Sequence, residues 1–146
     1  MTDYDDPEAE AAWCSERFVE VKQYLAEAGI RHGEIPDWPV WHVAPYVSVW
    51  PVESGVRPGA LGWWAICGDL PTDYLSGHDA DNPRNAVRAF AARWSAAAAC
   101  LSRGEQPKNF AIGPRGQWGE LAPMLRSRAQ VLESWADDDE LWEGLE

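Results

Sequence analysis

The segment "WPVWHVAPYVSVWP" (Trp38–Pro51) decides the fold, because it is dominated by valine and aromatic residues. These residue types favour extended backbone, so a β-strand is predicted from Val40 to Val52. Pro45 has no amide hydrogen, which indicates either an edge strand or a bulge at that position. The segment therefore predicts the first strand of a sheet.

Alternation along this strand gives it two different faces. The apolar face, expected in the core, consists of Trp41, Val43, Val47 and Val49. The mixed face consists of Val40, His42, Ala44, Tyr46, Ser48 and Trp50. In a continuous strand Ser48 lies too far from His42 to pair with it directly. Aromatic bodies with polar tips suit a partly covered surface, so any specific function is expected on the mixed face.

The following residues extend the sheet. Turn residues occupy 53–59, and "ALGWWAICG" (Ala60–Gly68) reads as a second strand in an antiparallel hairpin with the first. Tyr74 to Ser76 can add a short third strand. The sequence thus predicts a small antiparallel sheet of two or three strands.

Helices are predicted before and after these strands in the chain, where they can cover both faces of the sheet or leave one face to a partner. Asp6 caps an N-terminal helix with Pro7 in its first turn, and Gly29 ends it. Two C-terminal helices follow, one opening at Asn82-Pro83 and ending at Gly104, the other running from about Pro123 to Ala136. Leu141 and Trp142 are expected to fold back onto the body. The predicted fold class is α+β, in a single domain covering residues 1–146.

The net charge of −12 is concentrated at the two ends of the chain. Residues 1–10 hold five acidic side chains and residues 137–146 hold six, so residues 11–136 carry only −1. The ends are interpreted as acidic, partly flexible segments. No basic stripe is available to neutralise phosphates, so nucleic acid is not an expected partner.

Other features favour a cytoplasmic protein without a membrane segment. The N-terminus lacks a basic region followed by an apolar run, and no apolar run approaches membrane-spanning length. The three cysteines, Cys14, Cys67 and Cys100, are widely spaced in apolar surroundings, which favours reduced thiols.

The strongest catalytic candidates are His42, Asp69 and Asp73. His42 begins one strand of the hairpin and Asp69 follows the end of the other, so the two can approach each other. A histidine oriented by a carboxylate is the machinery of a general base. The alternative is that both aspartates are turn residues bonded to local amides and that His42 is a half-buried histidine.

An anion site is the second candidate. Arg84 and Arg88 lie four residues apart in the first turns of a predicted helix, where a carboxylate or phosphate is attracted. The alternative is that they pair with Asp79, Asp81 or another local carboxylate. Neither the spacing of a zinc site nor a phosphate-binding glycine loop is present, so no metal and no cofactor are expected.

The ten tryptophans provide a third kind of candidate. Trp38, Trp50 and Trp64, together with Tyr46, can anchor a partner or stack on a ligand. The alternative is burial, which is the more common fate of a tryptophan. With ten present, one or two exposed ones are expected, and "WPVW" is the first place to look.

Three segments, "WPVWHVAPYVSVW", "GWWAICGDLPTDYLS" and "LAPMLRSRAQVL", resemble an uncharacterised family of small bacterial proteins classed as a domain of unknown function. The resemblance extends from about Trp13 to Trp142. It implies a bacterial cytoplasmic protein and transfers no catalytic or binding residue.

The favoured expectation is a non-enzymatic binding protein that uses an aromatic surface around the hairpin. Its partner would be another protein or a second copy of the chain, and an immunity- or antitoxin-like role belongs to this class. The alternative is a small hydrolase or transferase with His42, Asp69 and Asp73 at its site and Arg84 and Arg88 holding an anionic group.

Overall fold

The computed structural model describes residues 2–107 and 118–144, within which it has three α-helices and one four-stranded antiparallel sheet. Residues 1 and 145–146 of the acidic ends, and most of the loop predicted after Gly104, lie outside the described residues. The α+β class predicted from the sequence is confirmed. The elements are α1 (Pro7–Glu27), β1 (Trp41–Val43), β2 (Val47–Glu53), β3 (Leu61–Gly68), β4 (Leu70–Ser76), α2 (Pro83–Ser102) and α3 (Trp118–Ala136).

The prediction of one strand from Val40 to Val52 is wrong, because the chain reverses at Ala44–Tyr46. The Ala44–Pro45 peptide bond is cis, and the amide of Tyr46 donates to the carbonyl of Val43 at 2.7 Å. This turn separates β1 from β2 and brings His42 opposite Ser48. The proline therefore marks a reversal of the chain, and not a bulge in a longer strand.

The sheet contains four strands in the order β1-β2-β3-β4, where two or three were predicted. The third predicted strand, limited to Tyr74–Ser76, extends back to Leu70. A tight turn at Gly68 and Asp69 makes this possible. Gly68 has a φ of 146°, and a Cβ atom there would lie 2.5 Å from the carbonyl oxygen of Tyr46. Only glycine fits this close approach of two backbones.

Helix α1 begins as the sequence predicts. The carboxylate of Asp6 accepts from the amide of Ala9 at 3.3 Å, and Pro7 lies in the first turn, where a missing amide hydrogen costs nothing. Its apolar stripe, formed by Cys14, Phe18, Val21 and Leu25, packs on the face of the sheet that carries His42. The core there is formed by Val21, Leu25, Ile35, Trp50, Val52, Ala65 and Cys67.

Contacts group the chain into two compact units, Met1–Pro83 and Arg84–Glu146. The first holds α1 and the sheet, and the second holds α2 and α3. The prediction of a single domain stays a prediction. Helix α3 begins at Trp118, before the predicted start, so Pro123 lies inside it. Trp142 is buried and donates its indole N–H to the carbonyl of Trp135 at 2.9 Å, which confirms that it folds back.

Candidate functional site

A histidine–carboxylate pair joins the first strand to the first helix. Nε2 of His42 lies 3.0 Å from Oε2 of Glu10, which belongs to the first turn of α1. The His42 side chain is 17 % exposed and that of Glu10 is 39 % exposed. A carboxylate can only accept, so Nε2 of His42 carries the hydrogen in this pair.

Two tryptophans enclose the imidazole. The ring of Trp13, on α1, stacks on it at a centroid distance of 6.4 Å, and Trp38 meets it edge-on at 5.4 Å. The guanidinium of Arg17 lies over the ring of Trp13, 5.5 Å from its centroid. Packing on two sides and a hydrogen bond at Nε2 together fix the orientation of His42.

Two exposed aromatic residues flank strand β1 along the chain. Trp38 is 43 % exposed and Tyr46 is 50 % exposed, whereas most other aromatic residues of the described chain are buried or half-buried. Trp38, His42 and Tyr46 are called the β1 aromatic surface below. Carboxylates adjoin it: Asp37 precedes Trp38, and the amide of Asp69 donates to the carbonyl of Tyr46 at 2.9 Å.

Trp50 and Trp64, also predicted as binding residues, are buried and do not belong to this surface. The indole N–H of Trp50 donates to Oγ of Ser48 at 2.9 Å, and that of Trp64 donates to the carbonyl of Ala80 at 3.0 Å. Burial removes these rings from solvent, and the hydrogen bonds satisfy their only polar group. They are structural residues of the core.

The predicted grouping of His42, Asp69 and Asp73 is not what the structure shows. Asp73 pairs with Ile66 in β4, on the sheet face opposite to the one that carries His42. It is buried, and its carboxylate accepts from the amide of Tyr74 at 2.9 Å. Asp69 lies exposed in the β3–β4 turn. The carboxylate at hydrogen-bonding distance from His42 is Glu10.

Ser48 and Cys67 lie on the same sheet face as His42 but are not available as nucleophiles. Both side chains are fully buried, and Oγ of Ser48 donates to the carbonyl of Cys67 at 2.9 Å while accepting from Trp50. Burial raises the pKa of the Cys67 thiol to about 12, so it stays protonated at neutral pH. These groups form a core network beneath the sheet surface.

Arg84 and Arg88 hold the end of helix α3. Nε of Arg84 and a terminal nitrogen of Arg88 both donate to the carbonyl of Ala136, at 2.6 and 3.2 Å. Arg84 also pairs with Asp139 at 2.6 Å, and Arg88 approaches Asp137 at 3.8 Å. These acceptors of the two arginines thus come from the end of α3 and the residues that follow it, 48 to 55 positions away in the chain.

Sequence reasoning missed Glu10 because it was counted among the solvated acids of the N-terminus. A signal was present, since Glu10 lies four residues before Cys14 and eight before Phe18 and so continues the apolar stripe of α1. An acidic residue on the stripe of a helix that faces the sheet needs a hydrogen-bonding partner there, because burying an unpaired charge is costly. His42 is that partner.

Between residues 2 and 107 and between 118 and 144, no three histidine, cysteine or acidic side chains are grouped so as to hold a metal ion. No helix in these two ranges is long and apolar enough to cross a membrane.

Comparison with known proteins identifies a family. Neither a search of the curated proteins nor one of the solved structures found a match to the chain. A family model described as "Domain of unknown function (DUF4826)" matches residues 8–142, a range that includes Glu10, His42 and the β1 aromatic surface. The chain therefore belongs to the DUF4826 family of domains of unknown function.

Proposed function

We propose that this protein is a non-enzymatic binding protein that holds a partner protein at the β1 aromatic surface. One observation carries the proposal: Trp38 and Tyr46 are exposed before and after strand β1, and Trp38 meets edge-on an imidazole whose orientation is fixed. Tryptophan and tyrosine are enriched among the residues that dominate binding energy at protein interfaces. A rigid setting lowers the entropy lost when such side chains are buried by a partner.

The charges around this surface favour a partner with basic side chains. Glu10 and Asp37 are acidic neighbours of the aromatic rings, and the whole chain carries −12. A lysine or arginine side chain is attracted by these carboxylates and by the face of an exposed indole. A second copy of the chain would bring like charges together, so a different protein is the favoured occupant.

Immunity proteins and antitoxins are binding proteins that neutralise their partners, and the proposal includes such a role for this chain. A bacterial cytoplasmic setting, which the family resemblance implies, is part of the same proposal. In such a role the acidic surface speeds association with a basic target and repels acidic proteins.

The proposal is tested by comparative co-purification. The wild-type chain, the Trp38→Ala/Tyr46→Ala variant and a Val56→Ala control are immobilised and exposed to a lysate of the cells that produce the protein. Val56 is 88 % exposed and lies in the β2–β3 loop, away from strand β1, so it controls for loss of an exposed apolar side chain. Retained proteins are compared at about 0.1 M and about 0.5 M salt, between which the Debye length falls from about 10 Å to about 4 Å.

The expected result is a basic protein retained by the wild type and by Val56→Ala, lost with the double variant and reduced at the higher salt. If all three chains retain the same proteins, the β1 aromatic surface is not the binding site. Retention of an acidic partner that does not respond to salt would contradict the electrostatic part of the proposal.

The 3.0 Å contact between His42 and Glu10 favours a second candidate function, a small hydrolase or transferase. In this candidate Glu10 orients His42 as a general base, the role that was predicted for Asp69 or Asp73. The test is hydrolysis of para-nitrophenyl esters and phosphates by the wild type, His42→Gln and Glu10→Gln. Equal rates in all three chains would exclude this function for those substrates.

A further inference from the structure

A cleft of about 650 Å³ opens where the α1–β1 connection, the β2–β3 loop and the end of β4 meet. Although the chain is acidic overall, no aspartate or glutamate of residues 2–107 and 118–144 lines this cleft. Its polar lining instead comprises two arginines, a histidine and two serines: Arg31, Arg57, His78, Ser54 and Ser76. The cleft is thus a locally basic region of an acidic protein.

The two arginines of the cleft differ from others in the chain. Arg17, Arg84 and Arg103 each pair with a carboxylate of the chain. Within residues 2–107 and 118–144, the guanidinium groups of Arg31 and Arg57 make neither a hydrogen bond nor an ion pair. Their donors are therefore available to a ligand, and guanidinium groups are suited to carboxylate and phosphate.

Neighbouring groups add further donors. Oγ of Ser54 already accepts from the amides of Val56 and Arg57, each at 3.2 Å. Oγ of Ser76 accepts from the amide of His78 at 3.2 Å. Each hydroxyl hydrogen is left to donate, because an oxygen engaged as an acceptor keeps its own O–H.

Glu53, the carboxylate nearest to Arg57 in sequence, is held by other groups. Its Oε1 accepts from the amide of Glu34 at 2.8 Å, and its Oε2 accepts from the amide of Gly59 at 2.7 Å. These two hydrogen bonds lower the pKa of Glu53 below its ordinary value, so it remains ionised. Because both of its oxygens accept from backbone amides, this carboxylate does not turn to pair with the arginines of the cleft.

The remaining wall of the cleft is apolar. The two chain segments that carry the arginines are packed closely together. The half-buried Trp63 lines the cleft beside Ile30. A Cβ atom on Gly55 would lie 2.4 Å from the carbonyl oxygen of Arg31, so the two loops that carry the arginines are in backbone contact. A bridge between His32 and Ser54 joins the same two segments. The spacing of the arginine backbones is therefore fixed before any ligand arrives.

We propose that this cleft binds a small organic anion, a carboxylate or phosphate monoester that carries a flat apolar group. The anionic end meets Arg31 and Arg57, with Ser54 and Ser76 as additional donors. The apolar group lies against Trp63. The cleft shares no residue with the β1 aromatic surface, so anion binding in the cleft and partner binding at that surface can each occur without the other.

The test is a titration of the full chain followed by NMR, with the indole N–H signal of Trp63 as reporter and Trp63→Phe for its assignment. The probes are phenyl phosphate, benzoate, inorganic phosphate and the neutral benzyl alcohol. Each is added to the wild type, to Arg31→Gln/Arg57→Gln, and to Arg103→Gln/Arg126→Gln. The last variant removes the same charge from exposed arginines outside the cleft. Unchanged spectra elsewhere show that each variant is folded.

Saturable shifts of the Trp63 signal are expected with phenyl phosphate or benzoate, and the stronger of the two identifies the anionic group. The cleft double variant should weaken binding at least about tenfold, while the control double variant leaves it within about twofold. Three outcomes would overturn the proposal: no saturable shift with either aromatic anion, equal binding of benzyl alcohol, or unchanged affinity in the cleft double variant. Equal binding of inorganic phosphate would overturn the role given to Trp63.

Discussion

The imidazole of His42 and the carboxylate of Glu10 lie 3.0 Å apart, although 32 residues separate them in the chain. The contact joins β1 to the first turn of α1 and fixes the ring between Trp13 and Trp38. The hydrogen bond to His42 therefore holds the Glu10 side chain in place against the sheet. The β1 aromatic surface owes its shape to this contact and to the turn at Ala44–Tyr46.

The pair predicts the tautomer of His42. Because the carboxylate of Glu10 accepts from Nε2, neutral His42 should carry its hydrogen there, and Glu10→Ala should allow a mixture of both tautomers. Long-range nitrogen–proton NMR spectra at about pH 8 measure this directly. Glu8→Ala, in the same helical turn, is the control and should leave the tautomer unchanged. An Nδ1–H tautomer in the wild type would refute the geometry.

The same pair should contribute little to global stability. Glu10 is 39 % exposed, and pairs of that exposure are worth about 0–1 kcal/mol. Glu10→Gln should therefore lower the free energy of unfolding by no more than that amount in urea titrations. A loss of several kcal/mol would mean that the pair supports the core, which its exposure does not predict.

Removing the Ser48 hydroxyl should be costly. In Ser48→Ala the indole N–H of Trp50 loses its acceptor in a fully buried position, which destabilises by about 1–3 kcal/mol. Urea unfolding of this variant is compared with Ser15→Ala, an exposed serine of α1. Equal stabilities of the two variants would show that the network around Ser48 contributes nothing.

The buried thiols should be protected from alkylation. Burial raises the pKa of Cys67 to about 12 and that of Cys14 to about 11, the latter helped by the charge of Glu10. Iodoacetamide at pH 8 should therefore label both only after unfolding, as mass spectrometry can show. Rapid labelling of either thiol in the native chain would contradict the burial.

The raised thiol pKa values also give a direction to the pH dependence of stability. Between the ordinary value of 9.0 and the folded values of about 11 and 12, the unfolded thiols have lost protons that the folded ones keep. Stability from these groups is therefore complete below pH 9 and falls as the pH rises above it. Cys67→Ala should reduce this alkaline loss in urea titrations at pH 8 and pH 10. An identical loss in this variant would assign it to other groups.

Arg84 should stabilise the end of α3. Arg84→Gln removes a hydrogen bond to the carbonyl of Ala136 and the pair with Asp139, which predicts a loss of about 1–2 kcal/mol. Asp139 is 90 % exposed, so Asp139→Asn should cost much less. Amide hydrogen exchange near Ala136 measures both. Equal effects of the two variants would contradict the leading role given to the carbonyl contact.

Local signals in the sequence were sufficient for parts of the fold. Asp6 and Pro7 mark the start of α1, and the spacing of its apolar residues marks the side that packs on the sheet. The division between β1 and β2 was not predicted, because Ala44–Tyr46 contains no glycine or asparagine and the proline alone admits several backbone paths. Without that turn, Ser48 could not be placed opposite His42.

The candidate site was predicted only in part for a related reason. Trp38, His42 and Tyr46 were recognisable from residue type within and just before the predicted strand. Glu10 lies on the apolar stripe of α1, which indicates a buried partner, but its pairing with His42 joins elements 32 residues apart and cannot be identified locally. The apolar surroundings that favour burial of Trp50 depend on α1 covering the mixed face, which strand alternation does not reveal.

The most direct test of the proposed function is the dissociation constant of the complex with the basic protein that co-purification identifies. Isothermal titration calorimetry would compare the wild type, Trp38→Ala/Tyr46→Ala and Val56→Ala. We predict that the double variant raises the dissociation constant about 100-fold or more, as the loss of two interface anchors implies, and that the control stays within about twofold. A double variant that binds within about twofold of the wild type would contradict the assignment of partner binding to the β1 aromatic surface.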